Sequence, residues 1–174
     1  MLGIHQRATV KLSIGCGNKR IPGYTGVDAV KRDAADIIAP AWAIPLADGV
    51  ADEVMAIHLW EHFYRWQCDE VILEWRRLLK PGGLLVLELP DLMKACRNVV
   101  DGIKGKHPDQ LSMWALYGDP REGDEFMAHR WGWTPQTLTE FLQANGFADV
   151  KERPTQFHRA GHFNRDMRIE ARRA

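Results

Sequence analysis

The chain has 174 residues, a length typical of one domain. Hydrophobic residues make up 45% of it and charged residues 26%, which excludes disordered, collagen-like and low-complexity proteins. Its 23 basic and 23 acidic side chains cancel, no apolar run has the roughly 20 residues of a membrane span, and residues 1–10 lack the apolar region of a secretory signal. We therefore expect a cytoplasmic protein with no membrane association, whose three scattered cysteines are free thiols.

Short apolar segments of β-forming residues alternate with helical segments along the chain. This alternation is typical of an α/β fold with a largely parallel sheet. The first predicted strand runs into Gly15-Cys16-Gly17, and the fifth stops at Pro90, where a backbone donor is lost. The predicted strands comprise residues 8–14, 24–27, 35–38, 53–57, 84–89, 149–153 and 167–171.

Two amphipathic helices are predicted between these strands. Apolar residues recur at helical spacing from Val71 to Leu79, and Pro81-Gly82-Gly83 is expected to end that helix. The second helix begins after Thr134, a favourable N-cap, and ends at Asn145-Gly146, which can form a left-handed C-cap. Too few residues separate the first two strands for a helix, so this first connection should be a turn.

The turn after the first strand has the outline of a nucleoside-binding site. At Gly15 and Gly17, on either side of Cys16, a ligand can approach the backbone without meeting a side chain. Asp28 ends the second strand and can accept both hydroxyls of a ribose. The third glycine of the GxGxxG pattern is missing, so a purely structural turn stays open as an alternative.

Three further segments follow in order. Residues 44–54 begin Ile44-Pro45-Leu46 and contain Asp52, residues 58–62 read His58-Leu59-Trp60-Glu61-His62, and residues 75–83 end in Lys80-Pro81-Gly82-Gly83. With the GxG turn, they resemble the segments of class I S-adenosylmethionine-dependent methyltransferases, and most closely the small type 11-like group. The resemblance covers roughly residues 8–92. It implies a Rossmann-like α/β fold with a mostly parallel seven-stranded sheet, an antiparallel last strand and a shortened first crossover, in one domain spanning 1–174.

The resemblance also implies S-adenosylmethionine as cofactor, with S-adenosylhomocysteine as product. The GxG turn would lie under the methionine part, Asp28 would hold the ribose, and His58 would lie beside the sulfonium. An acid often contacts adenine in such proteins, but the equivalent stretch here is Ala39-Pro40-Ala41-Trp42, so recognition by backbone groups or stacking on Trp42 is expected instead. The implied cofactor-binding residues are Gly15, Cys16, Gly17, Asn18, Asp28, Ala29, Trp42, His58 and Leu59.

A competing interpretation starts from the same residues. His58-Leu59-Trp60-Glu61-His62 matches the H-x-x-E-H pattern of zinc hydrolases, in which both histidines ligate zinc and the glutamate is the base. That pattern requires one continuous helix, whereas residues 53–57 are a predicted strand that runs into His58. We therefore expect no metal site and keep the hydrolase as the less favoured alternative.

Residues 91–133 follow the fifth strand at the carboxyl side of the sheet, where open α/β folds bind ligands. We expect this segment to be a substrate-side insertion or lid, although its tryptophans are also compatible with core positions. The candidate substrate-binding residues are Trp114, Tyr117, Arg130, Trp133 and, outside the segment, His162. The candidate catalytic residues are His58, His62 and His129, because imidazole titrates near neutral pH.

The predicted function is methyl transfer to a small polar acceptor, with O-methylation of a sugar, glycan or small metabolite favoured. A nucleic-acid or protein methyltransferase is an alternative, but zero net charge and the absence of an Asn-Pro-Pro-Tyr-type segment after the fourth strand disfavour nucleic acid. Residues 151–174 are basic, yet their alternation also fits the exposed face of a strand. A non-catalytic nucleoside-binding module stays open, as does the oligomeric state.

Overall fold

The computed structural model describes residues 9–103, 113–119, 125–157 and 165–174. Seven strands occur in these ranges: β1 Lys11–Ile14, β2 Thr25–Asp28, β3 Ile37–Ile38, β4 Ala51–Ile57, β5 Leu79–Pro90, β6 Phe147–Arg153 and β7 Asp166–Arg173. Four helices accompany them: α1 Cys68–Leu78, α2 Leu92–Val100, α3 Trp114–Tyr117 and α4 Pro135–Ala144. The seven predicted strands are thereby confirmed, with shifts at their ends.

The strands form one sheet in the order β3-β2-β1-β4-β5-β7-β6. The five strands from β3 to β5 pair in parallel, whereas β7 lies antiparallel to both β5 and β6. This arrangement confirms the predicted α/β fold with its antiparallel last strand. Because β1, β2, β4 and β5 are parallel, their carboxyl ends meet at one edge of the sheet, where ligands bind in such folds.

The connection from β1 to β2 contains only turns. The backbone N–H groups of Gly15 and Cys16 both donate to the carbonyl of Val27, at 2.8 and 3.2 Å, so the chain folds directly back onto the neighbouring strand. The shortened first crossover is confirmed. The carboxyl edge above β1 and β2 therefore lies next to a tight backbone turn.

An aromatic cluster holds the turn after β4 in the core. The buried ring of Trp60 lies 5.2 Å from Trp75 of α1 and 5.9 Å from Phe141 of α4. The indole N–H of Trp75 donates to the carbonyl of Ala41 at 2.8 Å, so this buried polar group is satisfied. The residues on either side of Trp60 are thus fixed by packing.

The junction between α1 and β5 differs from the prediction. The helix ends at Leu78, before Pro81-Gly82-Gly83 is reached, and Leu79 already pairs with Ala51 of β4. The next pair joins Leu84 to Glu53, so residues 80–83 bulge out of the ladder. The glycine-rich segment thus turns the chain within a strand instead of ending the helix.

Residues 91–133 contain a helix that the sequence reasoning missed. Helix α2 begins immediately after Asp91, whose carboxylate accepts hydrogen bonds from the backbone N–H groups of Met93 and Lys94. An acidic residue in this position is a recognised N-cap signal. The segment also includes α3 and a 3₁₀ turn, Glu125–Met127.

The basic residues of β7 form ion pairs and hydrogen bonds within the fold. Arg168 is buried and pairs with Glu170 at 2.9 Å and with Glu88 at 3.6 Å. Arg172 donates to the carbonyl of Gly82 at 3.1 Å, and Arg173 donates to the carbonyl of Leu79. The interpretation of residues 166–173 as a strand is confirmed, but the expected exposed basic face is wrong for Arg168, which is buried.

The capping of α4 provides a test of the fold. The Thr134 hydroxyl accepts a hydrogen bond from the backbone N–H of Thr137 in a reciprocal capping box. Thr134→Ala should lower the free energy of unfolding by about 1 kcal/mol, because a helix N-terminal donor loses its partner. Urea denaturation followed by circular dichroism measures this change. Gln136→Ala, which removes only an exposed contact with Glu140, is the control, and equal stabilities of the two variants would contradict the assignment.

Candidate functional site

The glycine turn after β1 lets neighbouring groups approach its backbone closely. Gly15 and Gly17 have φ angles of 67° and 54°, in the left-handed region that favours glycine. A Cβ atom on Gly15 would lie 2.8 Å from Leu59, whereas one on Gly17 would meet open space. The turn is therefore packed against the residues after β4 on one side and open at Gly17.

Asp28, at the carboxyl end of β2, supports this turn. One carboxylate oxygen accepts the N–H of Gly17 at 2.9 Å, and the other accepts the N–H of Val30 at 3.2 Å. Each oxygen keeps a further lone pair for a ligand hydroxyl. Asp28 is half-buried, so the carboxylate is both positioned by the backbone and accessible.

The other predicted cofactor residues differ in burial. Cys16 is buried, and burial raises the pKa of its thiol. Asn18 and Ala29 are exposed, and the Asn18 side chain accepts the N–H of Asp33. Trp42 is 41% exposed.

His58 follows β4 in a left-handed conformation, with φ 50°. Its Nδ1 lies 2.9 Å from Oε1 of Glu61 and its Nε2 lies 3.2 Å from Oδ2 of Asp166. Burial alone would lower the pKa of His58, but the hydrogen bonds to Asp166 and Glu61 outweigh it and raise the pKa to about 10. His58 is therefore a cation that donates from both nitrogens, which does not fit the general-base role considered for it.

The H-x-x-E-H segment is not an α-helix. His58 has a positive φ, and only Trp60–His62 form a short 3₁₀ turn. His58 and His62 consequently have different partners, because Nδ1 of His62 lies 3.1 Å from the carbonyl of Ala128. The geometry required for the zinc-hydrolase pattern is absent at these residues.

The structure instead brings His62 together with His129. Their ring centroids are 5.0 Å apart in an edge-to-face arrangement. The carboxylate of Glu61 lies beside them: its Oε1 is 3.8 Å from Nε2 of His129 and 2.9 Å from Nδ1 of His58. One ligand atom from each of Glu61, His62 and His129 lies within 4.8 Å of the other two. The sequence analysis named both histidines, but only the folded chain shows that they meet at Glu61.

A pocket of about 180 Å³ opens beside this cluster, at the carboxyl end of β5. Glu61 and His129 line it, together with Tyr117, Arg130 and Trp131. The backbone N–H groups of Arg130 and Trp131 donate to the carbonyl of Glu61 at 2.8 and 3.3 Å. The segment that contains the pocket wall is thus hydrogen-bonded to the turn after β4.

The predicted substrate residues have different surroundings. Tyr117 is 67% exposed, Trp114 is half-buried on α3, and the guanidinium of Arg130 lies 4.9 Å from the ring centroid of Tyr64. Trp133 is 2% exposed and packs 5.2 Å from Phe141, so it belongs to the hydrophobic core, a correction to its predicted role. His162 lies outside the described residues.

Several solved structures of methyltransferases have a similar fold. A SAM-dependent methyltransferase from Archaeoglobus fulgidus has 18% identity and a TM-score of 0.62, over 95% of this chain and 86% of that one. A 1,6-didemethyltoxoflavin-N1-methyltransferase from Burkholderia thailandensis, crystallised with S-adenosylhomocysteine, has 15% identity and a TM-score of 0.63, over 97% and 72% of the two chains. A possible histamine N-methyltransferase from Thermotoga maritima has 15% identity and a TM-score of 0.62, over 95% and 82%.

A search of curated protein sequences finds no match. Residues 12–87 match the sequence profile of the family described as "Methyltransferase domain". The similarity to this family spans 76 of the 174 residues of the chain. The matched range begins in β1 and ends in β5, so the methyltransferase profile includes the glycine turn, Asp28 and the residues after β4.

The part of the chain that the structure describes has no helix that is long and apolar enough to span a membrane.

The His58 pairing predicts a pH dependence of stability. Because its pKa of about 10 in the folded protein exceeds the value of about 6.5 for a free imidazole, the pairing contributes fully below about pH 6.5 and is lost as the pH rises through about 10. Urea denaturation between these pH values should show a falling free energy of unfolding. His58→Gln should be less stable at neutral pH and show a weaker fall, and parallel curves for the two proteins would contradict the pairing.

Proposed function

We propose that this methyltransferase domain binds S-adenosylmethionine across Gly15-Cys16-Gly17 and Asp28 and methylates an oxygen atom of a small polar acceptor. The favoured acceptors are a sugar, a glycan or a small hydroxylated metabolite. The observation that carries the proposal is the pocket of about 180 Å³ beside Glu61 and His129, at the same sheet edge as the glycine turn.

The residues of the turn fit this cofactor. The open space at Gly17 lets a ligand reach the backbone, and Asp28 has carboxylate lone pairs that can accept ribose hydroxyls. Trp42 offers an exposed ring face to an adenine, in place of the acid that is common in such proteins. When bound, S-adenosylmethionine supplies a methyl group on a sulfonium that is already reactive.

The charges after β4 suit a cationic donor. His58 is held as a cation between the carboxylates of Glu61 and Asp166, and Arg165 lies 3.4 Å from the other oxygen of Asp166. The carboxylate that faces the pocket is that of Glu61, and a carboxylate attracts a nearby sulfonium. His58 therefore acts as a positioning residue that orients the two carboxylates.

The acceptor side of the pocket combines a cation with an exposed phenol. Arg130 and Tyr117 can hold a hydroxyl or carboxylate of the acceptor, while His62 and His129 lie deeper, at Glu61. Holding an acceptor in line with a reactive methyl group can contribute about 7–11 kcal/mol to the rate. The main task of these residues is thus orientation.

The fold also favours a small acceptor over a nucleic acid. Phosphate backbones require unpaired basic side chains along an open groove. The arginines of β7 are instead engaged with Glu170, with Glu88 and with backbone carbonyls. The arginines of the basic C-terminal strand therefore stabilise the sheet.

Substitution of Asp28 tests the cofactor site. Asp28→Ala should weaken S-adenosylmethionine binding by about 1–3 kcal/mol, since a charged hydrogen-bond acceptor is lost. Asp28→Asn is the matched variant, because its amide oxygen can still accept the Gly17 N–H and support the turn. Isothermal titration calorimetry should place its affinity between those of wild type and Asp28→Ala. Equal affinities of all three proteins would remove Asp28 from the site.

Substitution of His129 tests the acceptor side. His129→Ala should lose turnover on small hydroxylated or sugar acceptors while calorimetry shows unchanged binding of S-adenosylhomocysteine. The exposed-site variant Asp69→Asn is the control and should retain both properties. Turnover should depend little on ionic strength. Activity that occurs only with RNA or protein, and that falls steeply with salt, would show that the acceptor is a polymer.

A further inference from the structure

Glu61, His62 and His129 form a cluster that the roles above leave partly unexplained. The side chain of Glu61 is 2% exposed, and its Oε2 accepts no hydrogen bond from any residue that the structure describes. A buried carboxylate oxygen normally has a partner, because leaving it without one is costly. Besides His58, which is hydrogen-bonded to Oε1, the imidazoles of His62 and His129 each place a nitrogen within 4.8 Å of this carboxylate.

Each imidazole has a backbone carbonyl beside its Nδ1. Nδ1 of His62 lies 3.1 Å from the carbonyl of Ala128, and Nδ1 of His129 lies 3.1 Å from the carbonyl of Ala115. Since a carbonyl can only accept, both Nδ1 atoms must donate, which leaves Nε2 of each ring as the nitrogen available to an ion. Nε2 of His129 faces Glu61, and a ring nitrogen of His62 lies within 4.8 Å of both residues.

The distances do not correspond to hydrogen bonds within the cluster. Nε2 of His129 lies 3.8 Å from Oε1 of Glu61, beyond hydrogen-bond length. Ligands about 2.0–2.2 Å from a tetrahedral zinc ion lie about 3.4 Å from one another. The separations of up to 4.8 Å thus need a contraction of at most about 1.4 Å to place one ion among the three groups.

Hydrogen bonds with neighbouring groups orient the three members of the cluster, as hydrogen bonds orient the ligands at metal sites. Ligating histidines almost always donate their other ring N–H to a carbonyl or carboxylate, and ligating carboxylates are themselves hydrogen-bonded. Here the two histidines donate to Ala128 and Ala115, and Glu61 accepts from His58 at 2.9 Å. All three members of the cluster therefore have an orienting partner.

We propose that Glu61, His62 and His129 bind one divalent first-row transition-metal ion, with zinc as the favoured ion, at the inner end of the 180 Å³ pocket. Two imidazoles and one carboxylate are a ligand set that such ions accept. The site differs from the H-x-x-E-H pattern, because His58 orients Glu61 and the second histidine ligand is His129. It also departs from the metal-free site expected from the sequence.

Three protein ligands leave a coordination position for another molecule, as at catalytic zinc sites. Glu61 and His129 line the pocket, so the oxygen of a hydroxyl or carboxylate compound that enters it can reach the ion. This part rests on the proposed function: coordination would acidify the acceptor hydroxyl, whose proton is released to solvent as its oxygen takes the methyl group.

Metal binding is tested on the untagged protein after dialysis against a chelator. Titration with Co²⁺ should give visible absorption that saturates at one ion per chain and disappears when Zn²⁺ displaces it. His62→Ala and His129→Ala should each bind Co²⁺ more weakly by at least the roughly 10–100-fold that loss of an orienting partner costs. Asp69→Asn should bind like wild type.

Circular dichroism of each variant shows whether it is folded. X-ray absorption spectroscopy of the zinc-loaded wild type tests the ligand set without any variant. That spectrum should show two imidazole nitrogens with oxygen ligands. Absence of stoichiometric Co²⁺ or Zn²⁺ binding, or unchanged affinity in folded His62→Ala and His129→Ala, would overturn the site. These measurements use neither methyl donor nor acceptor, so stoichiometric binding supports the site even if methyl transfer is never found. Full turnover in the metal-free enzyme would overturn the acidifying role alone.

Discussion

The site depends on one buried carboxylate, that of Glu61. Its side chain accepts a hydrogen bond from His58, and its backbone carbonyl accepts the N–H groups of Arg130 and Trp131. A buried charge is tolerated only when such partners accompany it. The same residue consequently fixes the orientation of His58 after β4 and the path of the segment that follows α3. A displacement of the turn at Glu61 would alter both sides of the pocket together, whereas loss of its side chain alone would remove one partner of His58.

The neighbouring residue Trp60 explains why this carboxylate can be held so firmly. Its ring is buried among Trp75 and Phe141, which come from α1 and α4. Packed interiors resist small displacements, because each shift opens a void or creates an overlap. The polar turn is therefore anchored in the apolar core by its own central residue, although the turn itself is short and irregular.

The sequence was sufficient where the signal is local. Asp28 follows a short apolar strand, and Thr134 stands immediately before Pro135 at the start of a helix, so strand ends and caps could be located from neighbouring residues. Trp133 could not be assigned in the same way. A tryptophan in a long connecting segment has the same local pattern in a pocket wall as in the core, and only tertiary packing distinguishes the two.

The meeting of His62 with His129 was inaccessible for a related reason. These residues are far apart in the chain, and the segment between α2 and α4 has no periodicity that would reveal which way a side chain faces. Helix α2 was missed although Asp91 is a favourable N-cap, since Asp91 directly follows the expected strand end at Pro90 and was interpreted only as the start of the segment 91–133. Signals that serve two elements at once are the ones that single-sequence reasoning misassigns.

The position of β7 has a consequence for the order in which the protein can be completed during synthesis. This strand is the last of the described elements, yet it lies between β5 and β6, and its first residue, Asp166, is a partner of His58. When the earlier strands have left the ribosome, β5 still has an unpaired edge and His58 lacks one of its two carboxylates. A nascent chain can thus form the glycine turn early, whereas the complete electrostatic environment after β4 must await translation of residues 166–173.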